Sequence, residues 1–273
     1  MKKRILTALV GIPIIVAVVL LAPIWVSGVL LGLLCAAATY EFMRCANPRI
    51  SPRIAFWAMS AAFAMPFWLS VRGEGASLYT LSYWLFFILF LELMFSFRRE
   101  ERLDLTQLMA GMTAGIVMPM MLSSLIRIGL RADCGRQNML LPFVISFSCD
   151  SGAFFTGRAW GKHKLASHLS PHKTKEGALG GLVCGTLGAL GYGAVLSACH
   201  YSVHYPILLF YGIAGSVFCE LGDLAFSAAK RIGGIKDYGS ILPGHGGVLD
   251  RFDSMYFTAP LIEILTFWFP AVG

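Results

Sequence analysis

Long apolar runs recur along almost the whole 273-residue chain, and they constrain its fold more than any other feature. Runs of about 18 or more apolar residues with few charges are typical of helices that cross a membrane. Charged residues make up only 14% of the chain, whereas a soluble domain carries roughly a quarter. The sequence therefore predicts an all-α, polytopic integral membrane protein.

About nine transmembrane helices are expected. They lie near residues 5–22, 25–43, 54–71, 77–97, 106–126, 139–157, 177–199, 205–229 and 254–272. No hydrophilic stretch between them is long enough to form a separate soluble domain. We therefore expect one membrane domain over 1–273. In it, the spans of 1–138 serve as a scaffold that faces lipid, and 139–273 carries the catalytic spans and cytoplasmic loops.

The basic residues predict that the N-terminus is cytoplasmic. In that orientation, all of the 22 Lys and Arg residues except Arg72, Arg127, Arg131 and Arg136 fall on the cytoplasmic side, as the positive-inside rule requires. The last three arginines fit least well and could instead mark an interfacial helix. Anionic lipids and substrates account for the net charge of +7, so no nucleic-acid partner is expected.

Several other kinds of site are disfavoured. The seven cysteines form no CxxC pair and are odd in number, which argues against a disulfide framework. His163, His168 and His172 share one loop, but their spacing fits no helical face and disfavours zinc. The span at 177–199 has a small residue at every fourth position and no GxxxxGK[ST] motif. That pattern favours close helix packing over nucleotide binding.

Ionisable residues inside apolar spans are costly and mark candidate sites. They concentrate after residue 149, where Asp150 interrupts the sixth span. Residues three, four, seven and eight apart share one face of a helix. On the eighth span, that face carries Glu220, Asp223, Ser227, Lys230 and Arg231. Such a face either lines a polar cavity or forms a structural ion pair between the carboxylates and Lys230.

The loop after the eighth span combines charges with glycines. It contains Lys236-Asp237, then Pro243-Gly244-His245-Gly246-Gly247, then Asp250-Arg251-Phe252-Asp253. Glycines let main-chain N–H groups approach an anion closely. Carboxylates bind magnesium, which completes its shell with water and substrate phosphates. The pattern predicts a site for a metal-bound nucleotide at the cytoplasmic membrane surface.

A second basic segment precedes the seventh span and reads Ser170-Pro171-His172-Lys173-Thr174-Lys175-Glu176-Gly177. A helix cap followed by positive-inside lysines explains part of it. The remaining interpretation is that Lys173 and Lys175 clamp an anionic substrate.

Residues 227–253 resemble the C-terminal signature of the CDP-diacylglycerol synthase (phosphatidate cytidylyltransferase) family. The matching pattern is Ser-x-x-Lys-Arg-x4-Lys-Asp-x5-Pro-Gly-His-Gly-Gly-x-x-Asp-Arg-x-Asp. Segments 150–162 and 170–177 are similar to the other polar blocks of that family. The resemblance covers about 150–253, and the N-terminal half agrees only in hydropathy and span count. Many members carry a glutamate just before the signature serine, where this chain has Phe226.

The resemblance implies an enzyme of phospholipid biosynthesis. It would transfer the cytidylyl group of CTP to phosphatidate with magnesium and release pyrophosphate, and Asp223 and Asp250 would hold the metal. The expected location is the cytoplasmic (inner) membrane, with the active site facing the cytoplasm. Membrane lipids are expected partners, and a homodimer is a candidate assembly.

These arguments assign roles to individual residues. The catalytic candidates are Asp223, Asp250, Lys230, Lys236, Asp237, His245 and Arg251. The substrate-binding candidates are Lys173, Lys175, Ser227, Arg231, Gly244, Gly246, Gly247, Asp253 and Asp150. Three alternatives remain open: a CTP-dependent polyprenol- or phytol-type lipid kinase, an anion transporter, and a paralogue that has kept the fold and lost its activity. Transporters often show inverted repeats, whereas the polarity of this chain lies in one half.

Overall fold

A computed structural model describes residues 13–73, 77–96, 103–131, 133–167, 169–239 and 246–273. The chain divides into two compact units. The first contains Met1–Leu130 and Ile232–Phe252, and the second contains Arg131–Arg231 and Asp253–Gly273. In the described residues of both units, nearly all regular structure is helical.

The first unit is all-helical in its described part. Its helices are α1 (described over 13–21), α2 (Ile24–Ala46), α3 (Pro52–Arg72), α4 (Ser77–Ser96), α5 (Leu105–Met112), α6 (Met118–Leu122), α7 (Ser124–Gly129) and α11 (Leu249–Phe252). Proline precedes α2 at Pro23 and begins α3 at Pro52. It suits these positions because the first turn of a helix leaves its N–H groups without intrahelical partners.

Helices α5 and α6 belong to one continuous span, because a π-helical turn at Thr113–Val117 joins them. A π-turn disturbs the regular pairing of main-chain carbonyls. One of these carbonyls, Ala114 O, accepts a hydrogen bond of 2.7 Å from the buried hydroxyl of Thr39 on α2. The irregular turn is thereby tied to a neighbouring helix.

Helix α4 leaves most of its apolar surface exposed. Only 11% of its most apolar stretch is buried within the protein, and its exposed side chains include Tyr79, Tyr83 and Trp84. So large an apolar surface is unsuited to water and is expected to face lipid.

The described part of the second unit contains four long or medium helices and a small hairpin. Its elements are α8 (Gly135–Trp160), β1 (Lys164–Ala166), β2 (Ser170–Thr174), α9 (Lys175–Ala198), α10 (Tyr205–Ile232) and α12 (Met255–Trp268). Strands β1 and β2 are antiparallel, with Lys164 opposite Thr174 and Ala166 opposite Ser170. The hairpin connects the ends of α8 and α9, the two helices that pack together most extensively in the described structure.

The predicted stripe of small residues on α9 is buried, as expected for close helix contact. A Cβ added to Gly181 would lie 3.1 Å from the Cβ of Ala153 and 3.1 Å from the carbonyl oxygen of Cys149, both on α8. A Cβ at Gly185 would overlap the side chain of Ser216 on α10. The packing interpretation of this stripe is therefore confirmed.

The predicted fold class is confirmed. Among the described residues, seven helices are long and apolar enough to cross a membrane, and they match the second to eighth predicted spans. The chain is therefore an integral membrane protein. The beginning of the first predicted span, at 5–12, lies outside the described residues. Helix α12 has 14 residues and a length of about 21 Å, which is less than the roughly 30 Å of a bilayer core. The count of nine and the cytoplasmic N-terminus stay predictions.

The packing of α8 on α9 yields a test of stability. A Cβ at Gly152 would overlap that of Cys184 and lie 2.8 Å from the carbonyl oxygen of Gly180. We expect Gly152→Ala to lower the free energy of unfolding by about 1–3 kcal/mol through overpacking. At Gly191 an added Cβ meets no described heavy atom within 4 Å. Gly191→Ala should therefore leave stability unchanged or raise it by about 0.5–1 kcal/mol. Thermal unfolding of both variants in detergent measures the difference, and equal stability would contradict this packing.

Candidate active site

Carboxylates and lysines converge in the second unit. Each carboxylate is within electrostatic range of at least two other members. We call this group the carboxylate–lysine cluster, and it consists of Asp150, Lys173, Glu220, Asp223, Lys230 and Asp253. All but Glu220 are among the predicted site residues. Two helices, α8 and α10, strand β2 and the segment between α11 and α12 supply them.

Lys173 and Asp223 form the central contact of the cluster. The Nζ atom of Lys173 lies 2.6 Å from Oδ2 of Asp223, and the two side chains are 24% and 31% exposed. The Ser227 hydroxyl, one turn further along α10, donates a hydrogen bond of 3.3 Å to Oδ1 of Asp223. The structure thus brings the segment before the seventh span onto the polar face of the eighth. Asp223 pairs with Lys173, and an ion pair between Lys230 and the carboxylates of this face stays a prediction.

Asp150 lies on α8, and both of its carboxylate oxygens accept hydrogen bonds. The Cys219 thiol donates to Oδ1 at 3.5 Å, and the Ser254 hydroxyl donates to Oδ2 at 3.3 Å. The residue as a whole nevertheless remains exposed. A carboxylate that is held by neighbouring side chains and still accessible is suited to meeting a polar ligand.

Asp253 is the most deeply buried carboxylate of the cluster, with 8% of the residue exposed. Burial raises its pKa well above the ordinary value, and the nearby carboxylates of Asp223 and Asp150 raise it further. The positive charge of Lys230 opposes this increase. These carboxylates therefore repel one another, and positive charge brought to them would be stabilising.

Glu220, the carboxylate of the cluster that was not among the predicted site residues, lies one turn before Asp223 on α10. Its Oε1 atom is buried and has no hydrogen-bond partner among the described residues. An unpartnered buried carboxylate oxygen is unfavourable. This atom adds to the local excess of negative charge.

The β1–β2 hairpin is held in place at the start of α9. Thr174 caps the helix by accepting a hydrogen bond of 3.1 Å from the N–H of Gly177, which confirms the predicted helix cap. Glu176 accepts N–H bonds from Lys162 and His163, and its Oε1 lies 2.5 Å from Nδ1 of His163. This arrangement fixes the strand that carries Lys173.

The other basic residues at this end of the second unit are more exposed. The Nε–H of Arg231 donates a hydrogen bond of 3.1 Å to the carbonyl oxygen of Leu169 in the hairpin. Lys175 is exposed, and its main-chain N–H donates to the carbonyl oxygen of His163. His168 lies outside the described residues. The accessible charges of Lys175 and Arg231 suit them to an anionic substrate, and that role stays a prediction.

The first unit contains the signature loop, residues 233–250, of which 233–239 and 246–250 are described. Gly246 has a φ of +82°, in the left-handed region that favours glycine. Oδ2 of Asp250 accepts hydrogen bonds from the N–H groups of Gly247, at 3.0 Å, and Tyr238, at 2.9 Å. Asp250 therefore holds the loop together, and its assignment as a metal ligand stays a prediction.

The structure describes some of the remaining predicted residues of this region and leaves others out. Lys236, Asp237 and Arg251 are exposed. Gly244 and His245 lie outside the described residues. The N–H of Gly247, which was expected to approach an anion, donates to the carboxylate of Asp250. Its role in binding substrate stays a prediction.

Sequence reasoning missed Glu41, an acidic residue inside the second apolar span. Its Oε1 accepts a hydrogen bond of 3.0 Å from the N–H of Val248, and its Oε2 accepts one of 2.8 Å from the N–H of Leu249. The rule that an intramembrane carboxylate marks a functional hypothesis could have found it. The charged segments after residue 149 dominate the polar pattern of the sequence, and Glu41 lies far from them.

The cluster offers hard oxygen donors to a divalent cation. Within the described ranges, no three His, Cys, Asp or Glu side chains are already arranged as a metal site. Magnesium commonly takes one or two protein carboxylates and fills its shell with water and substrate phosphates. The carboxylates of the cluster and the unpartnered oxygen of Glu220 are donors of the kind that magnesium takes, and a magnesium site at the cluster stays a prediction.

A family model described as the cytidylyltransferase family matches residues 2–269. The chain belongs to this family. Two curated relatives of this chain are named phosphatidate cytidylyltransferase. The one from Staphylococcus haemolyticus is 44% identical over 135 residues, which cover 50% of each protein. The one from Staphylococcus aureus strain COL is 46% identical over 131 residues, or 48% of this chain and 49% of the relative. The chain spans about half the length of the curated relatives it matches.

Phe226 stands where many members of this family carry a glutamate, and its surroundings are apolar. The residue is 8% exposed. Its ring lies 5.2 Å from that of Tyr256 and 6.5 Å from that of Phe257, measured between centroids. Phe226 therefore packs α10 against α12 and adds no carboxylate to the cluster.

The contact between Lys173 and Asp223 can be measured by a double-mutant cycle. Because both side chains are less than one-third exposed, we expect a coupling free energy of about 1 kcal/mol, at the upper end for partly exposed ion pairs. Lys173→Met, Asp223→Asn and the double variant are compared with the wild type by chemical unfolding in detergent. Strictly additive effects would show that the pair does not contribute to stability.

Proposed function

We propose that this chain transfers the cytidylyl group of CTP to phosphatidate, forming CDP-diacylglycerol and pyrophosphate for phospholipid biosynthesis. Family membership supports a cytidylyl transfer, and the names of the relatives support phosphatidate as acceptor. The contact between Lys173 and Asp223 is the observation that carries the proposal. It joins two polar segments into one charged site on an otherwise apolar body.

The reaction needs no strong general base. A phosphate monoester has a second pKa of about 6, so the phosphate of phosphatidate is largely a dianion at neutral pH. One of its oxygens attacks the α-phosphorus of CTP and forms a new P–O bond. The bond between the α-phosphorus and the bridging oxygen breaks, and pyrophosphate leaves with that electron pair. Atoms and charge balance without a proton transfer.

The main barrier is electrostatic repulsion between two polyanions. Lys173 and Lys230, both at the cluster, would bind and orient their phosphates, and the exposed Lys175 and Arg231 would attract them. A bound magnesium ion would offset charge on the reacting and leaving phosphates, with Asp223 among its ligands. Asp150 and Asp253 would support the site by holding Ser254 and the start of α12 in place.

The proposed location is the cell membrane, with the β1–β2 hairpin on the cytoplasmic side. The distribution of Lys and Arg along the chain supports this orientation. A cytoplasmic hairpin would place Lys173 where CTP is available. Phosphatidate would enter from the surrounding lipid.

A label-transfer assay tests the reaction. Purified protein in detergent is given phosphatidate and CTP labelled at the α-phosphate, with and without magnesium. We expect label in the lipid phase and release of pyrophosphate only with magnesium. Label left in soluble CDP would favour a lipid kinase, and label left in CTP would favour a transporter.

Asp223→Asn tests the assigned site. Because the substitution removes the charge at the centre of the cluster, we expect turnover to fall by roughly a hundredfold or more. The protein should still insert in the membrane and purify normally. Asp133→Asn is the matched control, since Asp133 is an exposed residue of the same unit, before α8. An Asp223→Asn variant that kept most of its activity would refute the role of this carboxylate.

A further inference from the structure

Glu41 is an acidic residue in the last third of α2 and is only 2% exposed. Burying an ionised carboxylate without partners is strongly unfavourable. The surroundings of Glu41 must therefore compensate its charge. The sequence pattern assigned no role to it.

The compensation comes from two consecutive main-chain N–H groups of the signature loop. Val248 donates to Oε1 at 3.0 Å, and Leu249 donates to Oε2 at 2.8 Å. Each carboxylate oxygen thus receives one bond, and all three residues are buried. Hydrogen bonds to an ionised acceptor are stronger than those between neutral groups. The contact joins residues that are 207 and 208 positions apart in the chain.

Two glycines of the loop make room for this carboxylate. A Cβ at Gly239 would overlap Oε1 of Glu41, and a Cβ at Gly247 would lie 2.5 Å from Oε2. These glycines are accordingly needed for the close approach of the loop to this carboxylate. The anion they approach in the structure is a side chain of the protein itself.

The same stretch of α2 supports other parts of the loop. The rings of Phe42 and Tyr238 are stacked, with centroids 6.5 Å apart. A Cβ at Gly233 would lie 2.7 Å from the carbonyl oxygen of Cys45. Tyr238 in turn donates its N–H to Asp250. Both described parts of the loop therefore pack on α2. Asp250 accepts a hydrogen bond from each part, through Tyr238 and Gly247.

We propose that Glu41 is a positioning residue for the signature loop and, through it, for Asp250. The proposal rests on the proposed cytidylyl transfer and on the sequence-based prediction that Asp250 takes part in it. The hydrogen bonds of Glu41 in the described residues come from main-chain N–H groups of the loop. Its carboxylate holds Val248 and Leu249, which lie between Gly247 and Asp250 in the chain. Part of the predicted scaffold thereby determines the shape of a loop in the predicted catalytic half.

Glu41→Gln is the direct test, because it keeps the size of the side chain and removes the charge. A glutamine offers one acceptor oxygen, and its NH₂ group meets the second N–H as a donor facing a donor. We expect amide hydrogen exchange in the peptide 246–252 to be about tenfold faster, consistent with losing one bond to a charged group. We expect kcat to fall by about ten- to a hundredfold, with a smaller change in KM for CTP, since displacement of about 1 Å has such effects.

Two further variants make the result decisive. Glu92→Gln is the matched control, since Glu92 is a partly buried acid on α4, another apolar helix of the same unit. It should behave as the wild type does. Gly239→Ala adds a Cβ on the loop that would overlap the Glu41 carboxylate, and it leaves the sequence of α2 unchanged. It should accelerate exchange and lower kcat in the same direction, and it decides the question if Glu41→Gln fails to fold.

The outcomes separate this inference from the proposed function. Wild-type exchange and an unchanged kcat in folded Glu41→Gln, or in Gly239→Ala where Glu41→Gln does not fold, would overturn the positioning role. An equal loss in Glu92→Gln would also overturn it, because the effect would then be common to any acid in the unit. A wild-type protein without cytidylyl transfer would refute the proposed function, and the exchange rates would still decide the Glu41 contact.

Discussion

The polar parts of this protein are organised by carboxylates that lie within an apolar body and need partners. In the second unit, Asp223 takes Lys173 and the hydroxyl of Ser227. In the first, Glu41 takes two main-chain N–H groups. An unpaired buried charge costs several kcal/mol, so each carboxylate ties a polar segment to the apolar helix that carries it. In this way, hairpin and loop segments with little apolar surface of their own acquire defined positions.

Small residues on the helices make this arrangement possible in the second unit. Helices α8 and α9 approach closely because Gly152 and Gly181 carry no side chain at the contact. That approach brings Asp150 of α8 within electrostatic range of Lys173, which lies in β2 directly before α9. The glycine stripe therefore contributes to the site without containing any group that binds or reacts. The packing of α8 on α9 thereby bears on the position of one member of the cluster, Asp150.

Much of the fold was predictable because hydropathy alone identifies apolar helices, and seven described helices match predicted spans. The pairing of Lys173 with Asp223 was only partly predictable. Both residues were assigned to one site from their types and their neighbours, but nothing in the sequence specifies which lysine meets which carboxylate. Glu41 was missed because a single acid in an apolar run, far from any charged motif, has no local pattern that names its partner.

The sequence by itself determined the membrane class, the spans and the residue types of the candidate site, because these follow from local composition and from a long polar motif. Only the tertiary structure decided which groups partner these carboxylates. Those partners come from distant parts of the chain: Lys173 for Asp223, and Val248 and Leu249 for Glu41. Electrostatic and hydrogen-bonding partners act over a few ångströms of space, and spacing along the chain does not record that distance.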